Sequence, residues 1–204
     1  MLDRAAQALI APGLQAGARW LVRRGVSADT VTLTGFALGL VGAALIALGR
    51  PAAGLLWLLA SRVADGLDGA VARATRPTDR GAFLDITLDF IFYASVPLAF
   101  ALADPVANAL AAAVLLAAFV GTGSSFLAYA VLAERRGLKS LAYPAKGLYY
   151  LGGLTEATET LACFALMCLW PAWFGPLALG FAALCALTLL ARLHAGWHNL
   201  GDPG

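Results

Sequence analysis

The sequence predicts an all-α integral membrane protein with six transmembrane helices and an N-terminal amphipathic surface helix. Of its 204 residues, 61% are hydrophobic and only 13% are charged. The mean hydropathy of +0.79 is far above that of a water-soluble domain. Apolar segments also recur at about the 20-residue length that a helix needs to cross a bilayer core. These observations together predict the fold class.

Six segments are predicted to cross the membrane. The uncharged ones are residues 31–49, 105–133 and 173–191. The ones that contain charged residues are roughly 52–72, 82–103 and 149–170. We therefore expect a single membrane domain over residues 1–204, divided into a juxtamembrane helix (1–27) and a six-helix transmembrane bundle (28–199).

The N-terminal segment is predicted to be a helix that lies along the membrane surface. Leu2, Ala5 and Leu9 recur at helical spacing, and Arg4 and Gln7 supply polar positions between them. This alternation is typical of an interfacial helix. A frayed tail is the alternative.

The basic residues predict the orientation. Two of the fourteen Lys and Arg residues are exceptions: Arg50 is alone on one side of the predicted bundle, and Arg62 lies inside a span. The others share the opposite side, which the positive-inside rule makes cytoplasmic. We expect a bacterial inner (plasma) membrane protein whose active site faces the cytoplasm.

Four aspartates mark the candidate site, because they lie close together where the second and third spans meet the cytoplasmic side. They are Asp65, Asp68, Asp85 and Asp89. Steps of three and four residues place each pair on one face of its helix. Such a concentration of carboxylates at a membrane edge needs a cation. A fifth acid, Asp79, is predicted to lie in the connecting loop.

Two interpretations of these acids compete with a ligand site. Pumps, proton relays and cation channels also use ionisable residues within spans, so a small cation transporter is the alternative function. The acids could also form structural ion pairs with Arg62, Arg73, Arg76 and Arg80. The fixed offsets of Gly69, Ala72, Arg73 and Gly81 from the acids favour a ligand site, because a conduction path has no need of them.

The run DGLDGAVARATRPTDRGAFLDITLD resembles the signature of the CDP-alcohol phosphatidyltransferase family, D-x2-D-G-x2-A-R-x7/8-G-x3-D-x3-D. Every defining position of this signature is occupied. The segment between Arg73 and Gly81 has the shorter of the two lengths that the signature allows. The resemblance implies a phospholipid-synthesising transferase. A hydroxyl of a small alcohol acceptor would attack the β-phosphorus of CDP-diacylglycerol and release CMP. Membrane lipids and a second copy of the chain, in a homodimer, are the other implied partners, and no nucleic acid is expected.

The resemblance also implies residue roles. By similarity, the ligands of two Mg²⁺ or Mn²⁺ ions are Asp65, Asp68, Asp85 and Asp89, and their hard oxygen atoms suit these metals. Asp89 would also accept the proton of the attacking hydroxyl. The residues implied to bind the CDP moiety are Asp29, Thr32, Gly69, Arg73 and Thr78. For Asp29 and Thr32, an ordinary helix N-cap is an equally good explanation, and Arg62 either neutralises the site or has a further role in it.

The sequence leaves the identity of the acceptor alcohol open. A phosphorylated acceptor needs basic residues, and the candidates are Arg135, Arg136, Lys139 and Lys146, which serve equally well as topology signals. Glu156 and Glu159 lie three residues apart and share a helix face. They suit hydroxyl groups or a cationic head group, or they form structural ion pairs with Lys146.

Overall fold

The computed structural model describes residues 2–137 and 155–200, and all the secondary structure in these ranges is helical. Seven α-helices follow one another along the chain: α1 (Leu2–Arg23), α2 (Ala28–Ala47), α3 (Pro51–Ala74), α4 (Asp79–Ala103), α5 (Pro105–Arg135), α6 (Ala157–Leu169) and α7 (Phe174–Asn199). A single 3-10 turn, Pro171–Trp173, precedes α7. The all-α class predicted from the sequence is therefore confirmed.

Four helical segments of the described chain are long and apolar enough to cross a membrane. They are Ala28–Ala47, Asp79–Ala103, Pro105–Arg135 and Pro171–Asn199. The 24-residue α3 is also long enough, but it contains Arg62, Asp65 and Asp68. The described part of the predicted fifth span is the 13-residue α6, and residues 149–154 lie outside the described ranges. Length and hydropathy together thus support an integral membrane protein.

Polar side chains begin the helices that carry the site. The hydroxyl of Ser27 accepts a hydrogen bond from Thr30 N at 3.2 Å and caps α2. The hydroxyl of Thr78 accepts one from Gly81 N at 3.0 Å and caps α4. Each satisfies a backbone N–H that would otherwise have no partner in the first turn. Because Thr78 is the cap, Asp79 is the first residue of α4, and its predicted place in a loop was wrong.

Glycines let α2 lie close against α3 and α4. A Cβ atom added at Gly42 would come within 2.9 Å of the carbonyl oxygen of Gly54, which leaves no room for a side chain at this helix crossing. One helical turn away, Gly39 faces the ring of Phe92 and the hydroxyl of Ser61. Small residues at such crossings let backbones approach closely in membrane bundles. The start of α2 is thereby held over the ends of α3 and α4 that carry the aspartates.

The hydrophobic core lies towards the other end of the bundle. Phe92, Phe164 and Phe174 are fully buried in it, and Phe174 stacks on Phe100 with ring centroids 4.5 Å apart. Cys163, Cys168 and Cys185 are buried residues of this core and form no disulfide. A smaller cluster packs α1 against α3 through Ala18, Ala70 and Val71. This smaller cluster packs α1 against the acidic end of α3.

Candidate active site

Three of the four predicted carboxylates meet in one cluster. Asp65 and Asp68 come from the last three turns of α3, and Asp85 comes from the second turn of α4. One carboxylate oxygen from each lies within 4.8 Å of the others. The chain places them together because α3 ends and α4 begins on the same side of the bundle, with only residues 75–78 between them.

The cluster fits a divalent cation. Asp68 is buried, and its Oδ2 atom has no hydrogen-bond partner among the described residues. A buried carboxylate oxygen without a partner is costly unless a cation or donor compensates it. The donor atoms are all carboxylate oxygens, which hard ions such as Mg²⁺ and Mn²⁺ prefer. Asp65, Asp68 and Asp85 are therefore the residues that would hold such an ion.

Asp89 lies one turn further along α4 and is bound differently. Its Oδ1 atom is 2.6 Å from Nη1 of Arg62, which donates a hydrogen bond to it. The same Nη1 is 3.4 Å from Oδ1 of Asp65. Arg62 thus forms the structural ion pairs that the sequence left open for two of the acids, and it is the neutralising charge of this end of the site.

Two aromatic rings hold the Arg62 guanidinium in place. Its carbon atom lies 3.8 Å from the ring centroid of Phe92 and 5.6 Å from that of Tyr93. Only 14% of the Arg62 side chain is exposed. A cation over an aromatic face and against a carboxylate is stabilised from both directions. The guanidinium is therefore a fixed part of the site rather than a solvated charge.

A cavity of about 620 Å³, here called the first cavity, opens beside the carboxylates. Its walls come from α1 to α4 and from the α1–α2 and α3–α4 connections, and they include Asp68 and Asp85. All five residues that the sequence assigned to a CDP moiety line it: Asp29, Thr32, Gly69, Arg73 and Thr78. The structure therefore brings the predicted nucleotide residues together on one surface.

Local contacts arrange these residues. The Arg73 guanidinium lies over Gly69, where a Cβ atom would be 3.2 Å from Nη1. The hydroxyl of Thr32 donates to the carbonyl of Ala28 at 3.0 Å. Asp29 Oδ2 is 2.6 Å from Nη2 of Arg80. Because Ser27 caps α2, the N-cap explanation of Asp29 and Thr32 is wrong.

A second cavity of about 400 Å³ lies on the other side of the carboxylates, between α4, α5, α6 and α7. Asp65 and Asp89 face this second cavity, and Asp85 lines both cavities. Its polar walls include Tyr93, Thr122, Thr155, Glu156, Thr160 and Arg192. The carboxylates thus separate two spaces, each large enough for a small ligand.

Sequence reasoning missed Arg192 and Thr122 as residues of this cavity. The predicted sixth span stopped before Arg192, but α7 continues to Asn199 and buries the arginine, whose Nη1 donates to Thr122 O at 2.9 Å. The available signal was helical periodicity that continues past residue 191. A charged residue inside a span is a candidate for function.

Glu156 and Glu159 have a structural role. Glu156 is the N-cap of α6, and Glu159 Oε2 accepts a hydrogen bond from Glu156 N at 3.2 Å, which forms a capping box. Glu156 also lines the second cavity. Of the basic candidates, Arg135 and Arg136 lie at the exposed end of α5 and line neither cavity. Lys139 and Lys146 lie outside the described residues.

Comparison with known proteins agrees with the sequence resemblance. Residues 26–193 match the family model described as CDP-alcohol phosphatidyltransferase. The inner membrane protein YnjF of Escherichia coli strain K12 is 50% identical over 200 residues, which cover 98% of this chain and 97% of YnjF.

Two crystal structures of the phosphatidylinositol phosphate synthase of Mycobacterium tuberculosis have the same fold. The one with CDP-DAG bound has a TM-score of 0.66 and 27% identity, over 94% of this chain and 95% of that chain. The one in complex with manganese and citrate has a TM-score of 0.71 and 26% identity, over 94% and 90%.

Proposed function

Because the chain belongs to the CDP-alcohol phosphatidyltransferase family, we propose that it moves a phosphatidyl group from CDP-diacylglycerol to a small alcohol, with release of CMP. The acceptor oxygen forms a bond to the β-phosphorus, and the bond between that phosphorus and the oxygen of the departing CMP breaks. The hydroxyl proton passes to a base of the protein. Each step needs a part of the site that can be named.

The acidic cluster is proposed to hold the metal. Asp65, Asp68 and Asp85 converge on one point, and by family likeness Asp89 completes the set for two ions. When bound there, Mg²⁺ or Mn²⁺ supplies neutralising charge and Lewis acidity at the diphosphate. The manganese complex of the mycobacterial synthase supports this choice of metal. Without a cation, the carboxylates would repel the diphosphate.

The first cavity is proposed to bind the CDP moiety. Arg73 offers several donors to phosphate oxygens, and Gly69 lets the ligand approach the α3 backbone. Asp29, Thr32 and Thr78 also line this cavity and are proposed to supply polar contacts to the nucleotide. The cavity borders Asp68 and Asp85, so a diphosphate that enters it reaches the acidic cluster. The CDP-DAG complex of the mycobacterial synthase supports this ligand class.

The second cavity is proposed to bind the acceptor. The hydroxyls of Thr122, Thr155 and Thr160 donate within the protein, so their oxygen atoms can accept hydrogen bonds from a small polyhydroxylated alcohol. Arg192 offers a positive charge to a phosphate on it. Asp89 faces the same cavity, which is where a base that takes the hydroxyl proton is needed. The acceptor oxygen and the diphosphate would then approach the carboxylates from opposite sides.

The membrane arrangement is part of the proposal. We propose that residues 1–204 form one membrane domain in which α3 and α6 complete a bundle of six transmembrane helices (28–199), while residues 1–27 lie along the membrane surface. The basic end of the bundle, with the carboxylates, would face the cytoplasm of a bacterium, in its inner membrane. Family likeness suggests a homodimer.

The observation that carries the proposal is the position of the carboxylates between two cavities, with Asp85 on the wall of both. A group transfer needs this arrangement, because donor and acceptor must meet at one centre. Nothing specific in the described structure favours the cation transporter.

Release of CMP tests the proposal. The protein, purified in detergent, is incubated with CDP-diacylglycerol and Mg²⁺ or Mn²⁺, with glycerol 3-phosphate, serine, inositol, inositol phosphate or choline as acceptor. We expect one polyol of this panel to release CMP. Asp85→Asn should abolish release, whereas Asp104→Asn should not, because Asp104 caps α5 at the other end of α4. Failure of every acceptor, with either metal, would contradict the proposal.

A further inference from the structure

Arg62 occupies a position that differs from every other basic residue of the described chain, because it lies between two members of the acidic set. Nη1 is 2.6 Å from Asp89 and 3.4 Å from Asp65. Arg62 lines the same small space as Asp65, Asp68, Asp85 and Asp89. A permanent positive charge is therefore built into the place where the two helices bring their acids together.

This charge holds Asp89 more closely than the other carboxylates, because Asp89 accepts a hydrogen bond from Nη1 whereas Asp65 lies 3.4 Å away. Asp65, Asp68 and Asp85 come within 4.8 Å of one another, whereas Asp89 is hydrogen-bonded to the guanidinium. An ion held by the first three therefore has its ligands assembled already. An ion that also uses Asp89 has to take that carboxylate from Arg62.

The guanidinium has other partners that keep it in the site when Asp89 is withdrawn. The Phe92 ring lies 3.8 Å below it, Ser61 Oγ is 3.4 Å from Nη2, and Asp65 remains within 3.4 Å. An exchange of Asp89 between Arg62 and a metal ion thus needs a small movement and no expulsion of the arginine. The Arg62 guanidinium and a metal ion that binds Asp89 would repel each other strongly, because the site is partly buried.

We propose that Arg62 is a resident counter-ion that competes with the second divalent ion for Asp89. The inference rests on the proposed function, since it takes Asp65, Asp68, Asp85 and Asp89 as the metal ligands. Arg62 acts through Asp89 and is a positioning residue. It holds the carboxylate beside the second cavity and weakens the second metal position, so the first ion binds more tightly than the second.

Binding of Mn²⁺ tests this inference without any measurement of activity. The full chain in detergent is titrated with Mn²⁺, and the free ion is followed by electron paramagnetic resonance. For the wild-type protein we expect one tight Mn²⁺ and a second, weaker one. Arg62→Gln should tighten the weaker site by about tenfold or more, equivalent to about 1.4 kcal/mol or more, because the competing charge is gone.

Arg50→Gln is the matched control. It removes the same charge at the exposed N-cap residue of α3, at the opposite end from the carboxylates, where Arg50 makes no side-chain capping hydrogen bond. Its Mn²⁺ affinities should equal those of the wild-type protein. Loss of one partner of a partly buried ion pair is destabilising, so Arg62→Lys is measured as well. Lysine keeps the charge with fewer hydrogen-bond donors. The affinity of its weaker Mn²⁺ site should fall between those of the wild-type protein and Arg62→Gln.

The outcomes separate the inference from the proposed function. A wild-type protein that binds no Mn²⁺ would contradict both. Tight binding in the wild type with an unchanged or weakened second site in Arg62→Gln would overturn the inference alone and leave the metal site in place. If Arg62→Gln does not fold and Arg62→Lys does, the weaker Mn²⁺ site of Arg62→Lys decides. An affinity there equal to that of the wild-type protein would overturn the inference too.

Discussion

Arg80 and Asp29 join the starts of α4 and α2 through a contact of 2.6 Å between Nη2 and Oδ2. The Arg80 side chain is 84% exposed, so the pair contributes less than about 1 kcal/mol to the free energy of unfolding. Both residues line the first cavity. The pair therefore orients a wall of the proposed nucleotide site rather than stabilising the fold.

Arg80→Gln is expected to raise the KM for CDP-diacylglycerol severalfold, because Asp29 loses its partner beside an anionic ligand. The kcat should stay close to that of the wild-type protein, since the change affects binding of substrate and transition state alike. Steady-state kinetics and thermal unfolding in detergent give the two readouts, with Arg50→Gln as the control for loss of charge. An unchanged KM would show that the Arg80–Asp29 pair does not orient the nucleotide site.

Gly69→Ala tests the contact between α3 and Arg73. The new methyl group would lie 3.2 Å from Arg73 Nη1 and would push the guanidinium away from its present position. We expect a higher KM for CDP-diacylglycerol together with an unchanged or higher unfolding temperature, because alanine favours a helix by up to about 1 kcal/mol over glycine.

Gly175→Ala is the control for this substitution, since a Cβ atom at Gly175 of α7 has no neighbour within 4 Å. It should leave the KM unchanged. A Gly69→Ala protein with wild-type KM would remove Arg73 and Gly69 from the nucleotide site.

The sequence predicted the parts of this protein that depend on local patterns. Helical periodicity and hydropathy located α2, α4 and α5 to within a few residues. The spacing of Asp65, Asp68 and Asp85 predicted a cluster that the structure contains, because steps of three and four residues on a helix fix which side chains share a face. The family resemblance then named five of the residues that line the first cavity.

Partners on different helices were not predictable in the same way. Arg62 had a near neighbour on its own helix in Asp65, yet its shorter contact is with Asp89, 27 residues away. Which carboxylate a guanidinium chooses depends on the packing of Phe92 beneath it. Similarly, Ser27 rather than Asp29 caps α2, because several adjacent polar residues were equally suited and only the backbone position decides.

Asp68→Asn is expected to weaken Mn²⁺ binding. Changes in residues around a metal's ligands alone cost about 10–100-fold in affinity, so replacement of a direct ligand should cost about a hundredfold or more. The metal-free variant should unfold at a higher temperature than the metal-free wild-type protein, because one of three converging charges is removed. Equilibrium dialysis with Mn²⁺ and thermal unfolding measure the two effects.

The control is Asp104→Asn, which removes the same charge at the far end of α4 and keeps a side chain able to cap α5. Its Mn²⁺ affinity should match the wild-type value. Equal Mn²⁺ binding by Asp68→Asn and the wild-type protein would contradict the assignment of the metal ligands.

Gly42→Ala is expected to destabilise the bundle. Its Cβ atom would lie 2.9 Å from Gly54 O and 3.1 Å from Leu58 N, both backbone atoms that cannot rotate away. Forced overpacking of this kind costs about 1–3 kcal/mol, so the unfolding temperature should fall. Gly180→Ala, at a position on α7 with no neighbour within 4 Å, should not lower it. Equal stability of the two variants would show that α2 and α3 do not cross at Gly42.

Asp89→Asn separates the proposed base from the nucleotide site. Asparagine has nearly the same shape, and its carbonyl oxygen still accepts the hydrogen bond that Arg62 Nη1 donates, so the local packing should survive. It cannot take a proton from the acceptor hydroxyl. General-base catalysis contributes about 10²–10⁴-fold, and we expect the kcat to fall by at least the lower figure, with a much smaller effect on CDP-diacylglycerol binding.

The matched control is Asp79→Asn, which removes the same charge from the same helix at its exposed first residue, outside both cavities. Its kcat should equal that of the wild-type protein. CMP release measures turnover, and competition by CMP measures nucleotide binding in the same preparations. If Asp89→Asn turned over at the wild-type rate, another group would have to accept the proton. Because Asp65 and Asp85 also line the second cavity, the corresponding asparagine variants would then be the next to compare.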